Sequence, residues 1–349
     1  MLFLRAFLLL LAVFLGSATV TVAQRPEQGV NPRAEFWRGV REGTQGNVTI
    51  PDKQAGQLIQ SEGEVWRSFR NGPMSTWGVW GILGTIGVLA LFFAIRGRVR
   101  LQGQPSGRLI ERFSGLERMG HWLTASSFVL LALTGLNMLY GRYALLPLIG
   151  AEAFSILTLW GKYIHDYVAF AFMAGLILTF LLWVRHNIPA WRDLVWLAKG
   201  GGMVVKGVHV HATKFNAGQK VIFWVVMLGG LSVSLSGIAL LFPYQTALFS
   251  KTFGVLNLFG FGLPTDLTAL QEQQLNQVWH AIVGLVLMAV IIAHIYIGTL
   301  GMQGAFQAMG SGKVDETWAK EHHDLWVQDI EERARRREPA DGQQPAPAE

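Results

Sequence analysis

Five apolar runs divide the chain, at residues 76–95, 119–140, 161–184, 218–242 and 278–300. Each is long enough to cross a hydrocarbon layer of about 30 Å as a helix. Ahead of them, residues 1–23 (MLFLRAFLLLLAVFLGSATVTVA) combine an early Arg5, an apolar stretch and the small-residue end Thr21-Val22-Ala23. That order is a signal peptide cut before Gln24, with an uncleaved anchor as the alternative. Residues 24–75 are polar and carry two Trp-Arg blocks, EFWRGVREG and EVWRSFRNG, too loosely alike to count as a repeat. After the last span comes a charged tail, 301–337, in which TWAKEHHDLWVQDIEERARRR (317–337) predicts an amphipathic helix. The end, 338–349, has too little apolar content to order itself. The fold class predicted is an all-α membrane protein: a four-helix transmembrane bundle over 119–300, plus one extra N-terminal transmembrane helix over 76–95.

Charge orients the spans. The loop at 96–118 carries Arg96, Arg98, Arg100, Arg108, Arg112 and Arg118, and the loop after the third span carries Arg185, Arg192, Lys199, Lys206, Lys214 and Lys220. The connections at 141–160 and 243–277 hold only Arg142 and Lys251. By the positive-inside rule the basic loops and the tail are cytoplasmic and residues 24–75 lie outside. The signal peptide points the same way from different residues.

Four of the nine histidines fall inside spans: His121, His165, His280 and His294. His280 and His294 share one helix, fourteen residues apart. That spacing returns the second side chain to within about 40° of the first and about 21 Å along the axis. One such histidine is explained by a hydrogen bond to a neighbouring helix; two in register ask for partners. Depth supplies them. His121 enters from the cytoplasmic side and matches His294; His165 enters from the outside and matches His280. Two imidazole pairs at two depths suit two bis-histidine b-type haems, which have no open iron position and therefore carry electrons. A zinc site would need three or four ligands at one depth. The remaining histidines read differently: His209 and His211 form an HxH that fits a solvated loop better than a metal contact, His186 sits beside Arg185 at an interface or partner contact, and His322 and His323 belong on the surface of the tail helix.

Composition narrows the chemistry. The chain is 51% hydrophobic and 15% charged, and it has no cysteine. Disulfides, thiolate-held iron–sulfur clusters and covalent c-type haem are thereby excluded. The net charge of +6 lies beside the spans and reports topology rather than nucleic-acid binding.

The stretches ERMGHW at His121, WVRHNIPAWRDL from Trp183, KFNAGQKVIFW from Lys214, the His280/His294 helix, and GKVDETWAKEHHDLW in the tail resemble the gamma subunit of respiratory, membrane-bound formate dehydrogenase, a cytochrome b. The resemblance covers roughly residues 108–330 and assigns no role to 1–107. It implies an outer haem b on His165 and His280, an inner haem b on His121 and His294, and a quinone site formed by Asn216, Gly218 and His294. It also implies an iron–sulfur beta subunit and a catalytic molybdenum or tungsten alpha subunit as partners, and leaves room for a higher oligomer of the complex. Asn216 is equally a good N-cap for the helix beginning there. On this reading the chain does not oxidise formate itself; it reduces quinone with electrons from the partner. The alternatives are a di-haem cytochrome b anchor of another quinone-linked oxidoreductase (a hydrogenase or a sulfur-compound reductase), a passive membrane anchor, and a proton-relaying transporter. The last expects carboxylates at depth, and only Asp166 qualifies.

Overall fold

The structure, a computed structural model, describes residues 61–202, 210–243 and 245–337. The signal-peptide region, most of the polar N-terminal segment, His209 and the last twelve residues lie outside this range. Among the described residues the chain is mainly helical, and five helical stretches are long and apolar enough to cross a membrane: Val65–Arg96, Gly115–Ala144, Leu146–His186, Ala217–Leu241 and Ala269–Gly301. Leu133, Ile177 and Leu228 point outward and are largely exposed, as lipid-facing side chains must be.

Helix α1 (Ser61–Phe69) runs through a π-turn at Arg70–Met74 into α2 (Ser75–Arg96). Pro73 lies in that turn and supplies the local irregularity by removing an amide donor. Three bundle helices start on the same device. In α3 (Gly115–Ala144) Ser114 caps the Glu117 amide and Glu117 returns to Ser114; Asn216 and Gln219 do this for α6 (Ala217–Leu241), and Thr268 and Gln271 for α8 (Ala269–Tyr296). Each such box satisfies two amides that a helix start would otherwise leave unpaired. The fourth, α4 (Leu146–Trp183), has Pro147 in its first turn and breaks at Gly150, whose φ of 79° and ψ of 167° are not helical. It begins well before the apolar run at 161–184, because pairing with α3 continues the helix beyond the hydrocarbon.

Helix α3 packs along α4, α6 along α8, and α6 touches α4. Small residues permit the close approach: a Cβ at Gly175 of α4 would sit 2.6 Å from the Thr124 hydroxyl and 2.9 Å from its amide. The extra helix α2 lies on α8. Its start is tied by Tyr140 Oη donating to the Ser75 carbonyl at 2.8 Å, and its end by Phe92 and Phe93, edge-on to Tyr296. Beyond α2, Val99 forms a parallel bridge with Met302. At the opposite end of the bundle, α7 (Leu248–Asn257) is held by the buried carboxylate of Glu272, which accepts from the Phe249 and Ser250 amides at 2.9 and 2.7 Å.

The basic end is closed by a small cap. Strand β1 (Leu109–Glu111) pairs antiparallel with β2 (Lys313–Asp315), Ile110 opposite Val314. Short α5 (Trp191–Ala198) and α9 (Gln307–Gly310) flank it. The tail predicted as one helix over 317–337 is two, α10 (Glu316–His322) and α11 (Asp324–Arg337), broken at His323. His323 is also a correction to the surface reading: it is 1% exposed. Its Nδ1 donates to the Thr213 carbonyl at 2.7 Å, and its Nε2 accepts from Arg112 at 2.8 Å. Turning this one side chain inward breaks the helix. The Arg112 guanidinium sits about 5–6 Å from the ring centres of Phe113, Trp318 and Trp326. Burial lowers its pKa to about 9, so it remains charged at neutral pH.

Burial, reinforced by the Arg112 charge, pushes His323 well below the ordinary histidine value. A histidine held neutral when folded and free to protonate when unfolded favours the unfolded chain as pH falls. Stability from this residue is therefore complete above about pH 6.5 and is lost below it, by about 1.4 kcal/mol per pH unit. Thermal unfolding in detergent between pH 7 and pH 5 is expected to fall more steeply for the wild type than for His323→Gln, by the slope of about one proton. Equal slopes would remove His323 from the acid response.

Candidate functional site

The bundle brings the four span histidines together in two pairs. The His165 and His280 rings lie 6.1 Å apart between centres, and the His121 and His294 rings 6.3 Å apart. These are the partners that depth predicts. Imidazole nitrogen binds a first-row metal at about 2 Å, with the ring centre about 1 Å farther out, so two opposed ligands place their centres about 6 Å apart. Both pairs meet that spacing. The donor set, two neutral imidazoles with no thiolate or carboxylate, suits a haem iron held on both faces. Among the described residues no group of three or more His, Cys, Asp or Glu side chains could hold a metal ion. His211, half of the HxH, instead pairs with Asp324 in the tail. His186 stacks on Phe215 with ring centres 6.4 Å apart and accepts from Arg185 at 3.1 Å.

Each pair has distinct surroundings. At the far end, Thr134 and Ser236 hydroxyls meet the Nδ1 atoms of His165 and His280, and Gly135 and Gly237 leave space beside the same rings. At the basic end, His121 and His294 open into a cavity of about 1570 Å³ that also reaches Trp196, Phe215, Asn216 and Gly218. Small-molecule sites commonly occupy about 300–1,000 Å³. This one has room for a large planar cofactor and a second ring beside it.

Part of the cavity wall comes from Trp196, Gly201 and Gly202 of a strap, residues 184–202, locked onto α6. Lys220 of α6 donates to the Asp193 carboxylate at 2.8 Å and the Ile188 carbonyl at 3.0 Å. Asp193 also accepts from the Ala190 amide at 2.7 Å, capping α5. Trp224 Nε1 donates to the Asn187 carbonyl at 2.9 Å, and Asn187 is fully buried. So docked, α5 presses Trp196 against the glycines: a Cβ at Gly218 would lie 3.1 Å from its ring, and one at Gly201 would collide with it. The missing side chain at Gly218 thus makes room for Trp196. Asn216 Oδ1 accepts from the Gln219 amide at 2.9 Å. The N-cap role is therefore present, and it leaves the side-chain NH2 free of that bond.

Five residues were not singled out as site residues from sequence: Thr134, Ser236, Trp196 and the Asp193–Lys220 pair. The first two carried a signal, a hydroxyl followed by glycine inside an apolar span, at Thr134-Gly135 and Ser236-Gly237. The pair had none, since nothing in a pattern links residues 27 positions apart.

The family model for prokaryotic cytochrome b561 matches residues 112–312, which span all four bundle helices and both imidazole pairs. The chain belongs to this family. As a member it is a membrane cytochrome b, and haem b is its cofactor class. Relatives agree on the type. The cytochrome is 27% identical over 237 residues to the cytochrome b556 subunit of the nitrate-inducible formate dehydrogenase of Escherichia coli K12, covering 67% of this chain and 98% of that one. A second formate dehydrogenase cytochrome b556 subunit of the same strain is 29% identical over 223 residues, covering 63% and 93%. The counterpart in Haemophilus influenzae is 27% identical over 217 residues, covering 61% and 79%. The match to the family begins at residue 112, so α1 and α2 of the cytochrome precede it.

Proposed function

We propose that this cytochrome is the electron-transferring membrane subunit of a respiratory formate dehydrogenase, passing electrons from a periplasmic iron–sulfur subunit to quinone at the cytoplasmic side. The observation that carries the reading is the pairing of four imidazoles at two depths, one member of each pair on α8. The names of the relatives supply the partner. His165 and His280 would hold the outer haem b, and His121 and His294 the inner one. Haem held by two imidazoles supplies reversible one-electron transfer without an open site for oxygen. Lys and Arg at the Arg112 end orient that end to the cytoplasm. Quinone would sit in the cavity beside His294. Asn216, its Oδ1 committed to the cap, would donate an amide hydrogen to a quinone oxygen, and Gly218 and Trp196 would shape the wall. Protons for quinone reduction would be drawn from the cytoplasm, so each electron delivered inward works against about 2.3 kcal/mol per 100 mV.

Pyridine haemochrome assay with reduced-minus-oxidised spectra of the purified complex tests this. Two non-covalent b haems per chain, reduced by formate and reoxidised by a quinone analogue, are expected. Two haems indifferent to formate would keep the cytochrome and reassign its dehydrogenase partner to a hydrogenase or sulfur-compound reductase. No haem would end the proposal.

Asn216→Ala separates two roles. Loss of the cap costs about 1 kcal/mol, and loss of the amide donor should raise the KM for quinone while both haem spectra persist. Haem loss with unchanged quinone affinity would leave only the cap.

A further inference from the structure

The two far-end imidazoles are held in one tautomer by two hydroxyls. His165 Nδ1 lies 2.8 Å from Thr134 Oγ1, and His280 Nδ1 lies 3.0 Å from Ser236 Oγ. Each hydroxyl also reaches a helix carbonyl that can take its proton. Thr134 donates to the Leu130 carbonyl at 2.8 Å, and Ser236 donates to the Ser232 carbonyl at 2.9 Å. With the hydroxyl proton directed to the carbonyl, each hydroxyl oxygen is left to accept from the imidazole Nδ1–H, and this is the tautomer assigned here. That leaves Nε2 of both rings with its lone pair available to a metal.

The glycine after each hydroxyl completes the fit. A Cβ at Gly135 would lie 3.6 Å from His165 Cε1, and one at Gly237 would lie 3.3 Å from His280 Cε1. Helices α3 and α6 therefore offer the same hydroxyl–glycine step to opposite members of one pair. The basic-end pair is built differently: His121 Nδ1 is buried and has no hydrogen-bond partner among the described residues.

We propose that Thr134 and Ser236 are positioning residues that aim Nε2 of His165 and His280 and hold the haem there at a lower reduction potential than the haem at His121 and His294. An Nδ1–H that donates makes its ring a more basic ligand. A more basic ligand favours the oxidised, more positive iron. With both ligands so held at one site, electrons run downhill from the far end to the basic end. The inference rests on the two-haem reading above and adds to it which residues set the direction.

The test is a potentiometric titration of the whole purified complex, followed at the haem absorbance bands and by electron paramagnetic resonance. It compares the wild type with Thr134→Val/Ser236→Ala and with Thr134→Ser and Ser236→Thr, which keep a hydroxyl. In the hydroxyl-free variant, at the potential where the wild-type far-end haem is half reduced, the reduced-to-oxidised ratio should rise about tenfold or more. For a one-electron couple that is about 59 mV per tenfold. The other haem should not move, and the hydroxyl-keeping variants should restore the wild-type value. Unchanged potentials, or equal shifts of both haems, would overturn the proposal. Loss of the far-end haem from the hydroxyl-free variant would overturn it too, making the hydroxyls necessary for assembly instead. A wild-type complex lacking two haems would fail the underlying reading, and would be recognised before any variant was titrated.

Discussion

Replacing His121 or His294 with alanine should halve the haem content of the complex and stop quinone reduction, while the remaining haem still reduces with formate. The expectation follows from where the ligands sit. His121 and His294 face each other across the bundle, and both line the cavity that would take quinone. His165 and His280 pair with each other at the other end of the bundle, braced by Thr134 and Ser236. With one of the two imidazoles gone the site would hold haem with much lower affinity, and quinone would lose the electron source proposed beside it. Stoichiometry by pyridine haemochrome should fall from two per chain to one, with quinone turnover near background. A variant with both haem signals and normal turnover would refute the assignment of this pair. Loss of both haems would mean that the two sites assemble as one unit.

The second large effect is expected at Lys220. Its ammonium is buried against Asp193, with side-chain exposures of 8% and 14%. Removing one partner of a buried ion pair typically costs about 3–5 kcal/mol, because the other charge is left without compensation. Lys220→Ala should therefore lower the thermal midpoint and release α5. Trp196 would then leave Gly218, and trypsin should reach Arg192 and Lys199 in membranes opened to the protease. Asp193→Asn should be milder, since an amide oxygen can still accept from Ala190 and Lys220. Pairing Lys220→Met with Asp193→Leu should recover part of the loss, because no lone charge is then buried. Equal stability and protease resistance in Lys220→Ala would show that the strap is held by Asn187 and Trp224 alone.

How much of this was legible beforehand depended on the range of the interaction. The spans were legible because crossing hydrocarbon demands a long apolar run, and the four histidines stood out because such runs rarely hold ionisable groups. Their pairing followed from depth, which needs only chain direction. The helix ends were less legible: α4 reaches back to Leu146 through a break at Gly150, a length set by packing rather than by hydrophobicity. His323 was misread because its neighbours in EHHD are polar, whereas its environment comes from Arg112, 211 positions away. Likewise the hydroxyl–glycine steps at Thr134 and Ser236 are visible in the sequence, but nothing ties them to the imidazoles until the helices pack. Local pattern gave the scaffold; contacts distant in sequence gave the groups that tune and enclose the site.

One arrangement also bears on how the molecule is made. Each imidazole pair takes one member from an earlier helix and the other from α8, the last of the five spans to leave the ribosome. A nascent chain arrested before residue 280 presents two half-sites, each with a single imidazole. Both should close within the same short interval of synthesis, some fourteen residues apart. Insertion would thus be timed by the chain itself: translation of the last span would be the signal that the pockets are ready to be filled.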